Sequence, residues 1–163
     1  MKRCAALLAL LTILCSCSLI SGRTPVSPVT WPEKITYVAA YCELDVRWKD
    51  QTFSGTMTLK MDYPDHLFIE IYGPFGETEV VMTKEKDKFL LVTGEERVTD
   101  PRRFENIFGI SLADFMEDLA TKGAAARSDY RVISRLDTDR QEMIWYGTAG
   151  MITLKVLEAK FTP

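Results

Sequence analysis

The 163-residue chain predicts an α+β fold, a curved antiparallel sheet of about nine strands with helices covering its concave face. Three observations predict it. Between Tyr41 and Thr99 apolar residues recur with period two in six short runs separated by polar or Gly/Pro turns. Two segments with helical spacing, each apolar on one side, interrupt that pattern and must lie on an apolar surface. Three further strand-like runs follow, from Asp129 to Phe161. A sheet of this size curls, and its apolar face is the surface large enough to receive both helices. With 47% hydrophobic and 26% charged residues, the composition is that of a folded globule with a core.

Residues 1–16 stand outside that globule. Lys2-Arg3 and the apolar run Ala5 to Leu14 form the basic and apolar regions of an export signal, too short to span a bilayer. Leu14-Cys15-Ser16-Cys17 then resembles the bacterial lipobox, with Leu three residues before Cys17 and a small residue just before it. Cys15 fits less well, because Thr12 stands where the Leu belongs. The resemblance implies that Cys17 becomes the acylated, palmitate-bearing first residue of a lipoprotein. Several acyl chains on one Cys make a stable anchor where a single chain is marginal. Ser18 after the Cys, rather than Asp, implies the outer membrane, with the domain facing the periplasm. Loss of residues 1–16 leaves 18 basic and 23 acidic residues (18 − 23 = −5), a sign that argues against nucleic acid partners and against attraction to anionic lipid. Cys17 and Cys42 are then the remaining cysteines, so no internal disulfide framework is expected and Cys42 reads as a small buried hydrophobe.

Residues 17–29 read as the lipidated Cys and a flexible tether rich in Ser, Pro and Gly, and residues 30–163 as the folded domain. Thr30-Trp31-Pro32-Glu33 fits a capping box, which predicts a short helix to about Ala40, although Thr36 to Trp48 also reads as strand. Cys42, Leu44, Val46 and Trp48 alternate with polar residues, and Phe53, Gly55, Met57, Leu59 and Met61 do so on the next run. Leu67, Ile69 and Ile71 face Thr78, Val80 and Met82 across Gly73-Pro74-Phe75-Gly76. Pro at the second and Gly at the fourth position favour a type I turn with Phe75 at its tip. Such a ring either folds back onto the sheet or exists to touch something apolar. Phe89 to Thr93 and Arg97 to Thr99 complete the first six strands.

Asp100-Pro101 begins the first helix, with Phe104, Ile107 and Phe108 on one face and Gly109 at its end. Ser111 caps the second, whose Leu112, Phe115, Met116 and Leu119 share a face and which Gly123 stops. The last strands run from Asp129 to Leu136, Gln141 to Tyr146 and Met151 to Phe161.

IEIYGPFGETEVVM, the lipobox at Cys17, the expected N-terminal helix and the placement of FGISLADFMEDL together resemble the LolA and LolB lipoprotein-localisation family, LolB most closely. That resemblance implies an unclosed half-barrel whose cavity holds acyl chains under its helices. It also implies a non-enzymatic chaperone that takes lipoproteins from a periplasmic carrier and delivers them to the outer membrane. Phe75, with Pro74, occupies the position of that family's apolar turn, with Phe where the family has Leu, and is expected to contact membrane or cargo. Phe53, Met57, Leu59, Met61, Ile69, Ile71, Val80, Met82, Phe115 and Met116 are the expected cavity lining, with methionines suited to varied apolar partners. The partners implied are acyl chains, the membrane through the anchor, and a LolA-like carrier, with the protein itself a monomer and no cofactor or metal involved. The chain ends soon after Phe161, where that family continues with further strands, so a shorter sheet and a shallower cavity are expected.

Two other classes stay open on the residues. In one, the half-barrel is filled and serves as a structural or assembly subunit. In the other, an enzyme or inhibitor has a site that no motif reveals. His66, the single histidine, has no partner set for catalysis or metal binding, and no Gly-x-Ser-x-Gly accompanies it.

Overall fold

The computed structural model describes residues 29–49, 51–137 and 140–162. The export signal, Cys17 and most of the expected tether lie outside the described residues. Nine strands form one antiparallel sheet: β1 (Tyr37–Trp48), β2 (Gln51–Asp62), β3 (His66–Tyr72), β4 (Thr78–Glu85), β5 (Lys88–Thr93), β6 (Arg97–Val98), β7 (Tyr130–Asp137), β8 (Arg140–Gly147) and β9 (Gly150–Thr162). The spatial order β6-β5-β4-β3-β2-β1-β9-β8-β7 makes two meanders that meet where β1 pairs with β9. β6 and β7 are the edges, so the sheet is not closed.

Alternation decides which side is core. Val38, Ala40, Cys42, Leu44, Val46 and Trp48 are all buried on β1, facing Met57, Leu59 and Met61 of β2 and Ile152, Leu154 and Val156 of β9. These central strands carry the apolar face that the helices need. Helices α1 (Arg102–Phe108) and α2 (Leu112–Ala120) connect β6 to β7. Gly109 ends α1 at φ 68°, where a residue with a Cβ is disfavoured, and its N–H returns to the Glu105 carbonyl at 2.6 Å. Ser111 Oγ accepts the Asp114 N–H at 3.0 Å and caps α2. Leu112, Phe115, Met116 and Leu119 of α2 are buried, and the Phe115 ring lies 5.2 Å from that of Trp145 on β8 and 5.5 Å from that of Phe104 on α1.

The expected helix over residues 30–40 is not there. Residues 29–36 carry no helix, and β1 begins at Tyr37. The donors a helix would turn back to the carbonyls of Trp31 and Pro32 bond elsewhere: Ile35 N–H reaches the Ala120 carbonyl at 2.9 Å and Thr36 N–H the Thr162 carbonyl at 3.0 Å. Trp31 is wholly buried, its Nε1–H donating to the Leu119 carbonyl and its ring edge-on to Phe161. Among the described residues no helix is long and apolar enough to cross a membrane.

Candidate functional site

Two features on one end of the sheet make the candidate site. The first is the β3–β4 turn. Gly76 N–H bonds the Gly73 carbonyl at 3.0 Å and Gly73 N–H the Glu77 carbonyl at 2.9 Å, closing the turn from both sides. Gly76 sits at φ 84°, which suits glycine. Phe75 N–H donates to Glu77 Oε2, so the backbone is held while the ring is left 95% exposed and Pro74 beside it is also exposed. Of the two readings open in the sequence, the ring folding back or standing free, the second is what the fold adopts. Among the described residues the large apolar ones most exposed after it reach only 54%.

The second feature is an apolar groove beginning one ladder step below the turn. Ile71 pairs with Val80, and a bulge separates that pair from Tyr72 and Thr78 at the base of the turn. Ile71 and Val80 line a cleft of about 170 Å³ with Leu44, Val46, Phe53 and Phe108. The same Leu44, Ile71, Val80 and Phe108 also line a narrower void of about 40 Å³ running inward past Met57, Ile69, Met82 and Phe115 to Trp145. No polar side chain lines either space. Phe108 lies on both, at the C-terminal end of α1.

Of the ten residues expected to line a cavity, Met57, Ile69, Ile71, Val80, Met82 and Phe115 meet in the inner void and Phe53 in the outer cleft. Leu59, Met61 and Met116 do not join them. Each is almost wholly buried, Leu59 and Met61 under the β1 ladder and Met116 on α2, so they fill the core. Sequence reasoning missed Leu44, Leu91, Phe104, Phe108, Trp145, Ile152 and Leu154 as lining. All seven were legible as apolar, but the meeting of Leu44, Trp145, Ile152 and Leu154 depends on β9 and β8 pairing beside β1.

α2 is tied to the sheet by a polar cluster that the sequence did not signal as such. Asp118 is fully buried on the apolar side of α2. The Tyr130 hydroxyl at 2.8 Å and the Trp145 Nε1–H at 3.0 Å donate to its Oδ2, and Arg127 donates to its Oδ1 from Nε and Nη2 at 3.1 and 2.9 Å. Arg127 also reaches Asp114 and Glu117. Burial, then the hydrogen bond to Asp118, raises the Tyr130 hydroxyl pKa. For Arg127 burial works downward, but the bonds to Asp118 and Glu117 outweigh it and raise its pKa. The polar groups of this cluster face one another, and of its members only the Trp145 ring also borders the inner void. α1 has no comparable tie. Its polar contacts are an exposed Arg103–Glu96 pair at 2.9 Å and the Asp100 carboxylate at its start. Where it ends, the Trp48 Nε1–H is buried without a hydrogen-bond partner, lying against Gly109 so closely that a Cβ there would stand 2.5 Å from the indole.

His66 is an exposed residue at the start of β3, and no group of three or more potential metal ligands exists among the described residues. Compared with known proteins, the chain matches no family model and no curated protein.

Proposed function

We propose that this chain is an outer-membrane-anchored lipoprotein of LolB-like kind, a non-enzymatic receptor for the acyl chains of lipoproteins or lipids. The sheet is read as a half-barrel whose concave face lies under α1 and α2. The observation that carries the proposal is the continuity from Phe75 through the Ile71–Val80 pair into a groove lined wholly by apolar side chains. An exposed apolar ring near a groove lined by apolar side chains suits a hydrocarbon chain, with Tyr72, Thr78 and Glu77 at the base of the turn between them.

Burying the Phe75 ring contributes roughly 1.5–3 kcal/mol, enough for transient contact but not for anchoring. An acyl chain gains about 0.8 kcal/mol per buried CH₂, so transfer runs on relative affinity among donor, receptor and membrane and needs no covalent step. Ligand pockets usually enclose about 300–1,000 Å³. The inner void, about 40 Å³, is far below that, so a chain enters only if α1 and Phe108 move outward. The weak tethering of α1 and the unpartnered Trp48 Nε1–H beneath its end support that movement, since an unsatisfied buried donor costs about 1–3 kcal/mol while α1 stays closed.

The small void also favours a second reading, a filled half-barrel acting as a structural or assembly subunit. A Phe75→Glu variant is the direct test at the turn. It is expected to keep the far-ultraviolet circular dichroism and melting temperature of the parent, because the ring packs on nothing, and to lose most transfer of a fluorescent lipopeptide to vesicles. Unchanged transfer removes Phe75 from the mechanism.

A further inference from the structure

The two edges of the sheet are unlike. β6 has two residues before the chain turns into α1, whereas β7 has eight with no neighbour on its outer side. An unpaired strand offers a row of N–H and C=O groups to any other strand, and such edges are commonly guarded by Pro, Lys, a bulge or brevity. β7 reads YRVISRLD, with neither Pro nor Lys, and its ladder with β8 runs from Tyr130 to Asp137 without a register shift. Six large apolar residues stand exposed among the described residues, and three of them lie here: Ile133 and Leu136 on β7, and Tyr146 opposite Arg131 on β8. The charges of the strand, Arg131, Arg135 and Asp137, decide what can pair with it.

A two-fold axis that joins two antiparallel edges stands perpendicular to the sheet. Each side of one sheet then continues into the same side of the other, and a residue opposes itself or one an even number of positions away. With Ile133 on the axis, Arg131 faces Arg135 and Asp129 faces Asp137, each pair of like charge and each occurring twice. With Arg135 on the axis, two guanidiniums meet. With Val132 there, Asp129 faces Arg135, but Leu136 and Asp137 extend beyond the start of the opposing β7 and stay uncovered. Ser134 on the axis satisfies every position. Arg131 faces Asp137 at both ends of the overlap, Val132 covers Leu136 on the side that carries the helices, and Ile133 packs on the aliphatic stem of Arg135 on the other side.

The neighbouring charges agree with this register. Neither Arg131 nor Asp137 has an ion-pair partner among the described residues, while Arg135 is already held by Glu142 at 2.9 Å, which offsets its diagonal approach to Arg131 of the other copy. Arg140 stands opposite Asp137 in the ladder and bonds Glu43.

We infer that β7 is the pairing edge of a homodimer, in which a second copy continues the sheet antiparallel about a two-fold axis at Ser134, in place of the monomer expected from the family resemblance. The inference stands apart from the acyl-receptor reading and is compatible with its anchor. Trp31 N–H donates to Gln141 Oε1, and Gln141 lies opposite Leu136, roughly 10 Å from that axis at strand spacing. Both copies therefore enter their domains close to the axis and on the same side of the sheet.

Arg131 and Asp137 lie six residues apart on one strand, about 20 Å at strand rise, so neither compensates the other within one chain. That separation makes a charge swap diagnostic. Sedimentation equilibrium of the full chain in density-matched detergent micelles at low salt is expected to show a monomer–dimer equilibrium. Arg131→Asp and Asp137→Arg are each expected to weaken dimerisation at least roughly tenfold, and the R131D/D137R double variant to recover it. All three are expected to keep the circular dichroism and melting temperature of the parent, because both side chains are exposed. A purified parent that stays monomeric at its highest soluble concentration overturns the inference, and is the result if β7 receives a strand of a different protein instead. A double variant no better than the singles, or a dimer indifferent to all three, also overturns it, since the contact then lies elsewhere. As a second readout, amide hydrogen exchange in β7 is expected to slow as the concentration of the parent rises, and exchange that does not change with concentration contradicts the pairing.

Discussion

Asp118 ties α2 to the rest of the domain, because three side chains from outside α2 direct donors at it. Removing the carboxylate leaves Tyr130 and Trp145 without their acceptor and Arg127 with Asp114 and Glu117 alone. Asp118→Ala is therefore expected to lower the unfolding free energy by about 3–5 kcal/mol, read as a shift in the urea midpoint. A loss under 1 kcal/mol contradicts the role given to the cluster. Asp118 left a trace in the sequence, a lone carboxylate inside the stripe formed by Phe115, Met116 and Leu119. Its partners could not be read, since Arg127 lies in an irregular segment and Trp145 reaches Asp118 only through the sheet. Phe75 was legible for the opposite reason. The turn Gly73-Pro74-Phe75-Gly76 is local chemistry, and local chemistry fixes where its third residue stands. That the ring stays off the sheet needed the structure, because sequence alone left both orientations open.

At the scale of elements, period-two alternation found the strands from β1 to β9, and cap residues found both helices. The expected N-terminal helix failed because a capping box is a local preference worth about 1 kcal/mol. Burial of Trp31 and Ile35 and pairing of Thr36 with Thr162 outweigh it. The two real helices differ in what holds them. α2 has a side-chain cap, a buried ionic tie and five buried apolar residues; α1 has seven residues, one of them buried, and an exposed ion pair. Local opening follows such differences. Amide hydrogens of α1 are expected to exchange at least roughly tenfold faster than those of α2, with α1 becoming more protected when palmitate is added. Equal protection in both helices contradicts the assignment of α1 as the element that opens.

The whole molecule turns on how two meanders share one core. β1 pairs with β2 on one side and β9 on the other, bringing Leu44, Ile152 and Leu154 beside Met57 and Ile69. No local pattern encodes that long-range pairing; seven of the expected lining residues meet at the groove, and Leu59, Met61 and Met116 lie buried away from it. Among the described residues every buried hydrophobic one lies from Trp31 to Val156, so a chain of residues 18–163 keeps all of them. Native mass spectrometry of that chain, purified from a bacterial periplasm and then incubated with lipid, tests the acyl-receptor claim most directly. The account predicts a second mass heavier by one fatty acid or phospholipid, lost in a variant with a bulkier groove, Val80→Phe. A bare protein mass before and after incubation contradicts it and leaves the filled half-barrel as the function of the fold.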